Sequence, residues 1–183
     1  LEIRDARSRD GFTHIKEVLR SAYERIEALH ASGQEVTGIP SGYKDLDRLT
    51  SGFQPSDLVI VAARPSVGKT AFALNVAQNV AVRGGQTVAI FSLEMSAAQL
   101  VQRMLCAEGN IDANRMRTGT FRDEDWEKLT MAIASLSQAQ LYIDDTPGIH
   151  INQIRAKARR LKAEQGLGLV VIDYLQLIQG HFR

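Results

Sequence analysis

Eight residues, Ala63-Arg64-Pro65-Ser66-Val67-Gly68-Lys69-Thr70, join the continuous apolar run Leu58-Val59-Ile60-Val61-Ala62 to a stretch of small and apolar residues reaching about Val82. No other feature restricts the possible folds so tightly. An apolar run without alternation predicts a strand buried on both faces of a parallel sheet. The stretch after it, closed by Gly84-Gly85, predicts a helix from about Lys69 to Val82. A loop wrapped between such a strand and helix turns successive backbone N–H groups inward at the positive end of the helix dipole, an arrangement that holds phosphate. Gly68 lets the backbone come close to the phosphates. Lys69 supplies a cation for the β and γ phosphates, and the Thr70 hydroxyl can reach Mg²⁺. The usual pattern opens on glycine where this chain has Ala63, which keeps the side chain small but excludes a backbone angle open only to glycine. All eight residues are therefore candidate nucleotide-binding positions, with ATP or another NTP and Mg²⁺ as the expected ligands.

The rest of the chain repeats the alternation of strand and helix. Thr87 to Phe91, Leu141 to Ile143 and Leu169 to Ile172 read as further strands. Ser96 with Gln99 has the form of a capping box for a helix through about Cys106. Thr120 with Asp123 repeats that form before a helix carrying Trp126, Leu129, Ile133 and Leu136, with Trp126 expected in the core. Ile151 to Ala163 reads as an amphipathic helix whose cations Arg155, Lys157, Arg159, Arg160 and Lys162 form a solvated face opposite Ile151, Ile154, Ala158 and Leu161. Together these elements predict an α/β fold with a mainly parallel sheet.

A phosphate loop of this kind needs an acidic partner at the end of another buried strand. Asp173, directly after Leu169-Val170-Val171-Ile172, can hold Mg²⁺ beside the phosphates. Hydrolysis also needs a carboxylate that activates water. Glu94, following Phe91-Ser92-Leu93, can face the γ phosphate from the C-terminal edge of the sheet. Asp144 and Asp145 occupy a similar place after the third strand, and position alone leaves the three open.

Charge excludes little. The net charge of +1 gives no global attraction to nucleic acid, so any such site must be local or shared among subunits. The single cysteine, Cys106, rules out an internal disulfide and reads as an inert thiol on a helix, in keeping with a cytoplasmic setting. The four histidines lack metal-ligand spacing and read as surface residues. No apolar run is long enough to span a membrane, and the first residues, Leu1-Glu2-Ile3-Arg4, have no signal-peptide pattern.

Ahead of the α/β region, Thr13 to His30 places Ile15, Leu19, Ala22, Tyr23, Ile26 and Leu29 at three- and four-residue steps, predicting an amphipathic helix ended near Gly33. A lone helix of this length must dock, either on its own domain or on a neighbouring subunit. The division expected is a linker region with an interface helix over 1–34 and the first portion of an ATPase domain over 35–183.

Several segments in order resemble one family, the bacterial replicative DNA helicases of the DnaB type. They are Thr37-Gly38-Ile39-Pro40-Ser41-Gly42-Tyr43, Leu46-Asp47, Ser51-Gly52-Phe53, the Ala63–Thr70 loop, Phe91-Ser92-Leu93-Glu94-Met95, and Val171-Ile172-Asp173-Tyr174-Leu175-Gln176-Leu177. The resemblance implies a RecA-like motor domain in a homo-hexameric ring that couples NTP hydrolysis to movement on single-stranded DNA. It implies Glu94 as the catalytic carboxylate, with Lys69 acting beside it, and the 13–30 helix as the linker packing on the next subunit. It also implies primase and a helicase loader as partners. In such helicases a strand between the two motif strands, a phosphate sensor, an arginine finger and the DNA-binding loops come later than these residues. The chain thus reads as part of a longer one, inactive alone. Two other readings share the loop: a RecA- or RadA-like recombination ATPase, and an assembly module ordered by nucleotide without unwinding.

Overall fold

The computed structural model describes residues 12–178. Three parallel strands, β1 (Val88–Ser92), β2 (Leu141–Asp144) and β3 (Leu169–Asp173), form a sheet in the order β2-β1-β3. Ser92 lies opposite Asp173 in the β1–β3 register, so both strands end at one edge. Every residue of β1 is buried because a strand lies on each side of it and helices cover each face. Side chains alternate between the faces. Val88 and Ile90 join a cluster with Leu74, Ala77, Val80, Leu100 and Met104, while Ala89 and Phe91 join Ile149 and Ile154 on the other side.

The helices are α1 (Ile15–Ser32), α2 (Lys44–Thr50), α3 (Lys69–Gln78), α4 (Ala97–Gly109), α5 (Ala113–Thr118), α6 (Asp123–Gln138) and α7 (Ile151–Gln165). α3 passes into a wider π-helical turn over Asn79–Arg83 before Gly84. A half-buried polar contact ties three helices together. Gln78 Nε2 on α3 donates to Glu108 Oε2 on α4 at 2.7 Å, and Ser135 Oγ on α6 donates to Glu108 Oε1 at 3.0 Å. α4 carries the expected capping box between Ser96 and Gln99. Cys106 on this helix is half-buried, and burial pushes its thiol up from the ordinary range, as suits an inert group.

The segment before the phosphate loop is seated on α3. Asp47, 7% exposed, accepts from the Ser41 N–H at 2.8 Å, the Ser41 hydroxyl at 2.7 Å and the Gly42 N–H at 3.3 Å. The Ser41 carbonyl in turn accepts from Asn79 Nδ2 at 3.1 Å, and the Tyr43 ring stacks on Phe72 with centroids 5.3 Å apart. Gly42 is at φ +89°, and a Cβ there would lie 2.3 Å from Asn79 Nδ2, so both backbone and space demand glycine.

Three expectations are corrected. Leu58 to Ala62 form no strand, and Leu58 and Ile60 are 83% and 68% exposed. A strand needs a neighbour to take its N–H and C=O groups, and no described strand pairs with this run. The helix after Thr120 is not capped by Thr120, whose hydroxyl pairs with that of Thr118. The carboxylate of Asp125 accepts the Arg122 N–H at 3.0 Å and the Arg115 guanidinium at 2.9 Å, which sets the start of α6 at Asp123. Trp126 is not core but 55% exposed, tilted against Phe121, because α6 turns Asp125 and Ala132 inward instead.

α1 forms as expected, ending at Gly33 in the left-handed conformation, and buries none of its residues. Its apolar stripe of Ile15, Leu19, Tyr23 and Ile26 is open. The cations of α7 are exposed, with Lys157 paired to Asp144, while Ile154 is buried and Ile151 is not. His14 and His30 are exposed and His150 is half-buried, whereas His181 lies outside the described residues.

Candidate functional site

The phosphate loop leaves Ala62 and enters α3 at Lys69 with Gly68 at φ +103°. Nothing lies within 4 Å of a Cβ built on Gly68, so the backbone angle rather than crowding asks for glycine here. Ser66 also has positive φ, at 65°. A non-glycine residue in that region is held at a cost of about 1 kcal/mol or more, and such residues gather at functional sites. Left-handed residues set among right-handed ones aim consecutive N–H groups into one concavity, the arrangement that suits an anion. Ala63, Arg64, Pro65, Ser66, Val67 and Gly68 are all exposed, and Ala63 keeps an ordinary negative φ. Tertiary contacts at the loop's end come from Lys69 and Thr70.

Thr70 Oγ1 donates to Asp173 Oδ2 at 2.9 Å, a contact spanning 103 residues of sequence. Lys69 Nζ stands 3.8 Å from Asp173 Oδ1 and 4.1 Å from the centre of the Tyr174 ring. Asp173 is 5% exposed. It ends β3, and α3 begins against that strand, so the fold itself brings the hydroxyl, the ammonium and the carboxylate together. A threonine hydroxyl and a carboxylate in contact are hard oxygen donors of the kind Mg²⁺ takes. The residues present therefore fit the expected MgNTP.

Glu94 lies two residues beyond β1. The Leu93 N–H donates to the Asp173 carbonyl at 2.9 Å, which extends the β1–β3 pairing to the residue before Glu94. Ser92 Oγ donates to the Met95 carbonyl at 2.7 Å and closes the turn around it. Glu94 is exposed, and its carboxylate has no hydrogen bond or ion pair among the described residues. Its two rivals are engaged. Asp145 Oδ2 accepts the Ala97 N–H at 2.8 Å at the start of α4. Asp144 pairs with Lys157 and accepts the Thr146 N–H at 2.9 Å. Burial would raise the Asp144 carboxyl, but the hydrogen bonds from Lys157 and Thr146 outweigh it and hold it below the usual carboxylate range. Among the described residues no group of three or more His, Cys, Asp or Glu side chains is placed to hold a metal ion.

Two contributors had no individual signal in the sequence. Tyr174 was legible only as part of a family segment, and its place over Lys69 depends on β3 meeting α3. Asp47 stands as Leu46-Asp47 in the sequence, and only the fold reveals it as the anchor of Ser41 and Gly42.

The comparisons agree with one another. The model of the DnaB-like helicase C terminal domain matches residues 38–183. The whole chain is 63% identical to 40% of the replicative DNA helicase DnaB of Geobacillus stearothermophilus, and 61% identical to 40% of the replicative DNA helicase DnaC of Bacillus subtilis (strain 168). It thus spans well under half the length of these relatives. Among solved structures, the ATPase domain of G40P superposes with a TM-score of 0.86 at 38% identity, over 94% of this chain and 61% of that one. A DnaB-like replicative helicase studied for its interactions with primase superposes with a TM-score of 0.80 at 40% identity, over 93% of this chain and 41% of that one. The fold, a RecA-like core with a parallel sheet, follows from these neighbours, and the chain belongs to the DnaB-like helicase C-terminal domain family.

Proposed function

We propose that this chain is the first portion of the ATP-hydrolysing motor of a replicative hexameric DNA helicase. The observation carrying this reading is the Thr70–Asp173 contact with Lys69 alongside and the unpaired Glu94 on the adjoining strand end. In the working site, Lys69 neutralises the β and γ phosphates and the backbone N–H groups of the loop, which Pro65 alone lacks, hold their oxygens. A bound Mg²⁺ supplies charge compensation at the transferring phosphoryl group. Thr70 and Asp173 are the residues that would hold it. Glu94 accepts the proton of the attacking water, which its exposed and unshared carboxylate leaves it free to do.

The rest of the reading concerns the assembled protein. α1, in the 1–34 linker region, docks its open apolar face on the motor domain of the next subunit, giving a homo-hexamer. Residues 35–183 form the nucleotide-holding part of the motor. Single-stranded DNA is the track, and primase and a loader are partners, the first supported by a structural neighbour studied with primase. Among the described residues no helix is long and apolar enough to cross a membrane, in keeping with a cytoplasmic protein. The 183-residue piece alone is expected to be inactive, since no described strand pairs with the Leu58–Ala62 run beside the phosphate loop.

The test uses the full-length protein. Glu94→Gln is expected to bind nucleotide as well as the parent while losing hydrolysis and strand displacement on a forked duplex by about 10²-fold or more. Unchanged turnover would return the role to an aspartate. Hydrolysis without strand displacement by the parent protein would favour a recombination ATPase, and no hydrolysis at all an assembly module.

A further inference from the structure

We propose that Ser92 is a positioning residue for Glu94: its buried hydroxyl fixes the turn that aims the Glu94 carboxylate at the attacking water. This rests on the role of Glu94 proposed above and adds the group that holds that carboxylate in place.

The need for such a group follows from Glu94 itself. Its side chain is exposed and no described group bonds its carboxylate, so only the backbone beneath it can fix where it stands. A base acts only within hydrogen-bonding reach of the proton it takes, and a misplacement of about 1 Å can cost on the order of 10²-fold in rate. On the strand side of Glu94, sheet pairing serves. The Leu93 N–H donates to the Asp173 carbonyl at 2.9 Å and ties the turn to the end of β3. On the far side that pairing has ended, and among the described residues no backbone–backbone hydrogen bond closes the turn from Ser92 to Met95. The Ser92 hydroxyl closes it in both directions, donating to the Met95 carbonyl at 2.7 Å and accepting the Met95 N–H at 3.3 Å. Ser92 is 2% exposed, so water competes little for that hydroxyl. The residues flanking Glu94 are also split between the two cores: Leu93 packs against the cluster of Ala89 and Phe91, and Met95 against that of Val88 and Ile90. Glu94 thus rides a crest pinned on both sides, and one hydroxyl is the pin on the side away from the sheet.

The test is ATP hydrolysis by the full-length protein, in steady state and in a single turnover, beside equilibrium binding of a fluorescent ATP analogue. Ser92→Ala loses only the hydroxyl. It should lower kcat about tenfold while the affinity for nucleotide and the number bound per subunit stay at the parent's values. In a Glu94→Gln background, where no base remains to be aimed, Ser92→Ala should slow the residual single-turnover rate no further. A general loss of structure would instead reduce the number of sites bound and would persist in that background. If Ser92→Ala fails to assemble, Ser92→Cys, of similar size with a far weaker hydrogen-bonding group, is read in its place. The inference is overturned if the alanine variant turns over like the parent while Glu94→Gln does not, if nucleotide binding falls along with kcat, or if the loss persists beside Glu94→Gln. Turnover at the parent's rate by Glu94→Gln would remove the role of Glu94 itself, whatever Ser92→Ala does.

Discussion

Replacing Asp47 with alanine should unlatch the segment that seats the phosphate-loop helix. The carboxylate receives three hydrogen bonds, of which the two to Ser41, at 2.8 and 2.7 Å, are short and buried, and the third, to Gly42 at 3.3 Å, is long. Bonds to a charged acceptor contribute roughly 1.5–3 kcal/mol each. The Ser41 hydroxyl can turn to another acceptor, but its N–H cannot, and the buried carboxylate's own desolvation is relieved. The balance is a local loss of about 3 kcal/mol. The best reporters are the amides of Ile39 and Phe53, which bond each other's carbonyls at 2.9 and 2.8 Å just outside the latch. If they exchange through local opening, 3 kcal/mol corresponds to roughly a 100-fold faster exchange. Hydrogen–deuterium exchange on the full-length protein, resolved to peptides over 37–54, measures this directly. Asp47→Asn, which keeps one acceptor, should fall between the parent and alanine. Exchange over 37–54 equal to the parent's would refute the latch, and an increase spread evenly over α4 and α6 would show that Asp47 acts on the whole domain.

Other consequences follow from the same geometry. Gly42→Ala places a Cβ 2.3 Å from Asn79 Nδ2 at φ +89°, and should lower stability by about 2 kcal/mol or more, read as a lower melting midpoint of the full-length protein. The Asp125 carboxyl is held below its usual range, first by the Arg122 N–H and then by the Arg115 guanidinium. A lowered folded-state pKa contributes stability above the ordinary carboxylate pKa of about 4 and loses it as pH falls further. Arg115→Leu should therefore flatten the loss of stability on acidification, and an unchanged acid limb would contradict the pairing. Leu19→Asp, which puts a charge on the open stripe of α1, should shift the proposed ring toward smaller species in native mass spectrometry, with the α/β core still folded.

Local pattern and tertiary context divided what could be read. The three strands of the sheet lie within a residue of their expected bounds because parallel strands are written as apolar runs, although only β1 is buried along its whole length. The Ser96 capping box and the Gly33 stop were legible because both act within a few residues. Leu58 to Ala62 read as a strand for the same reason as the others, yet a strand also needs neighbours, which a run of five residues does not specify. Thr120 lost its cap to Asp125 because Arg115, ten residues away, draws that carboxylate inward. At the site, Lys69, Thr70 and Asp173 were legible from the motif and from a carboxylate at a strand end. The difference between Glu94 and the pair Asp144 and Asp145 was not, since it lies in who else binds each carboxylate: Lys157 and Ala97 are occupied with the aspartates and no described group with Glu94.

The central claim is that Lys69, Thr70 and Asp173 hold a nucleotide and its metal as one unit. Equilibrium ATP binding by the full-length protein, with Mg²⁺ and with a chelator, tests it most directly. Mg²⁺ is expected to tighten binding by the parent. Thr70→Ala and Asp173→Asn should each lose most of that tightening, and Lys69→Ala should weaken binding about tenfold or more under both conditions. A Mg²⁺ effect undiminished in both Thr70→Ala and Asp173→Asn would mean that these two residues do not hold the metal.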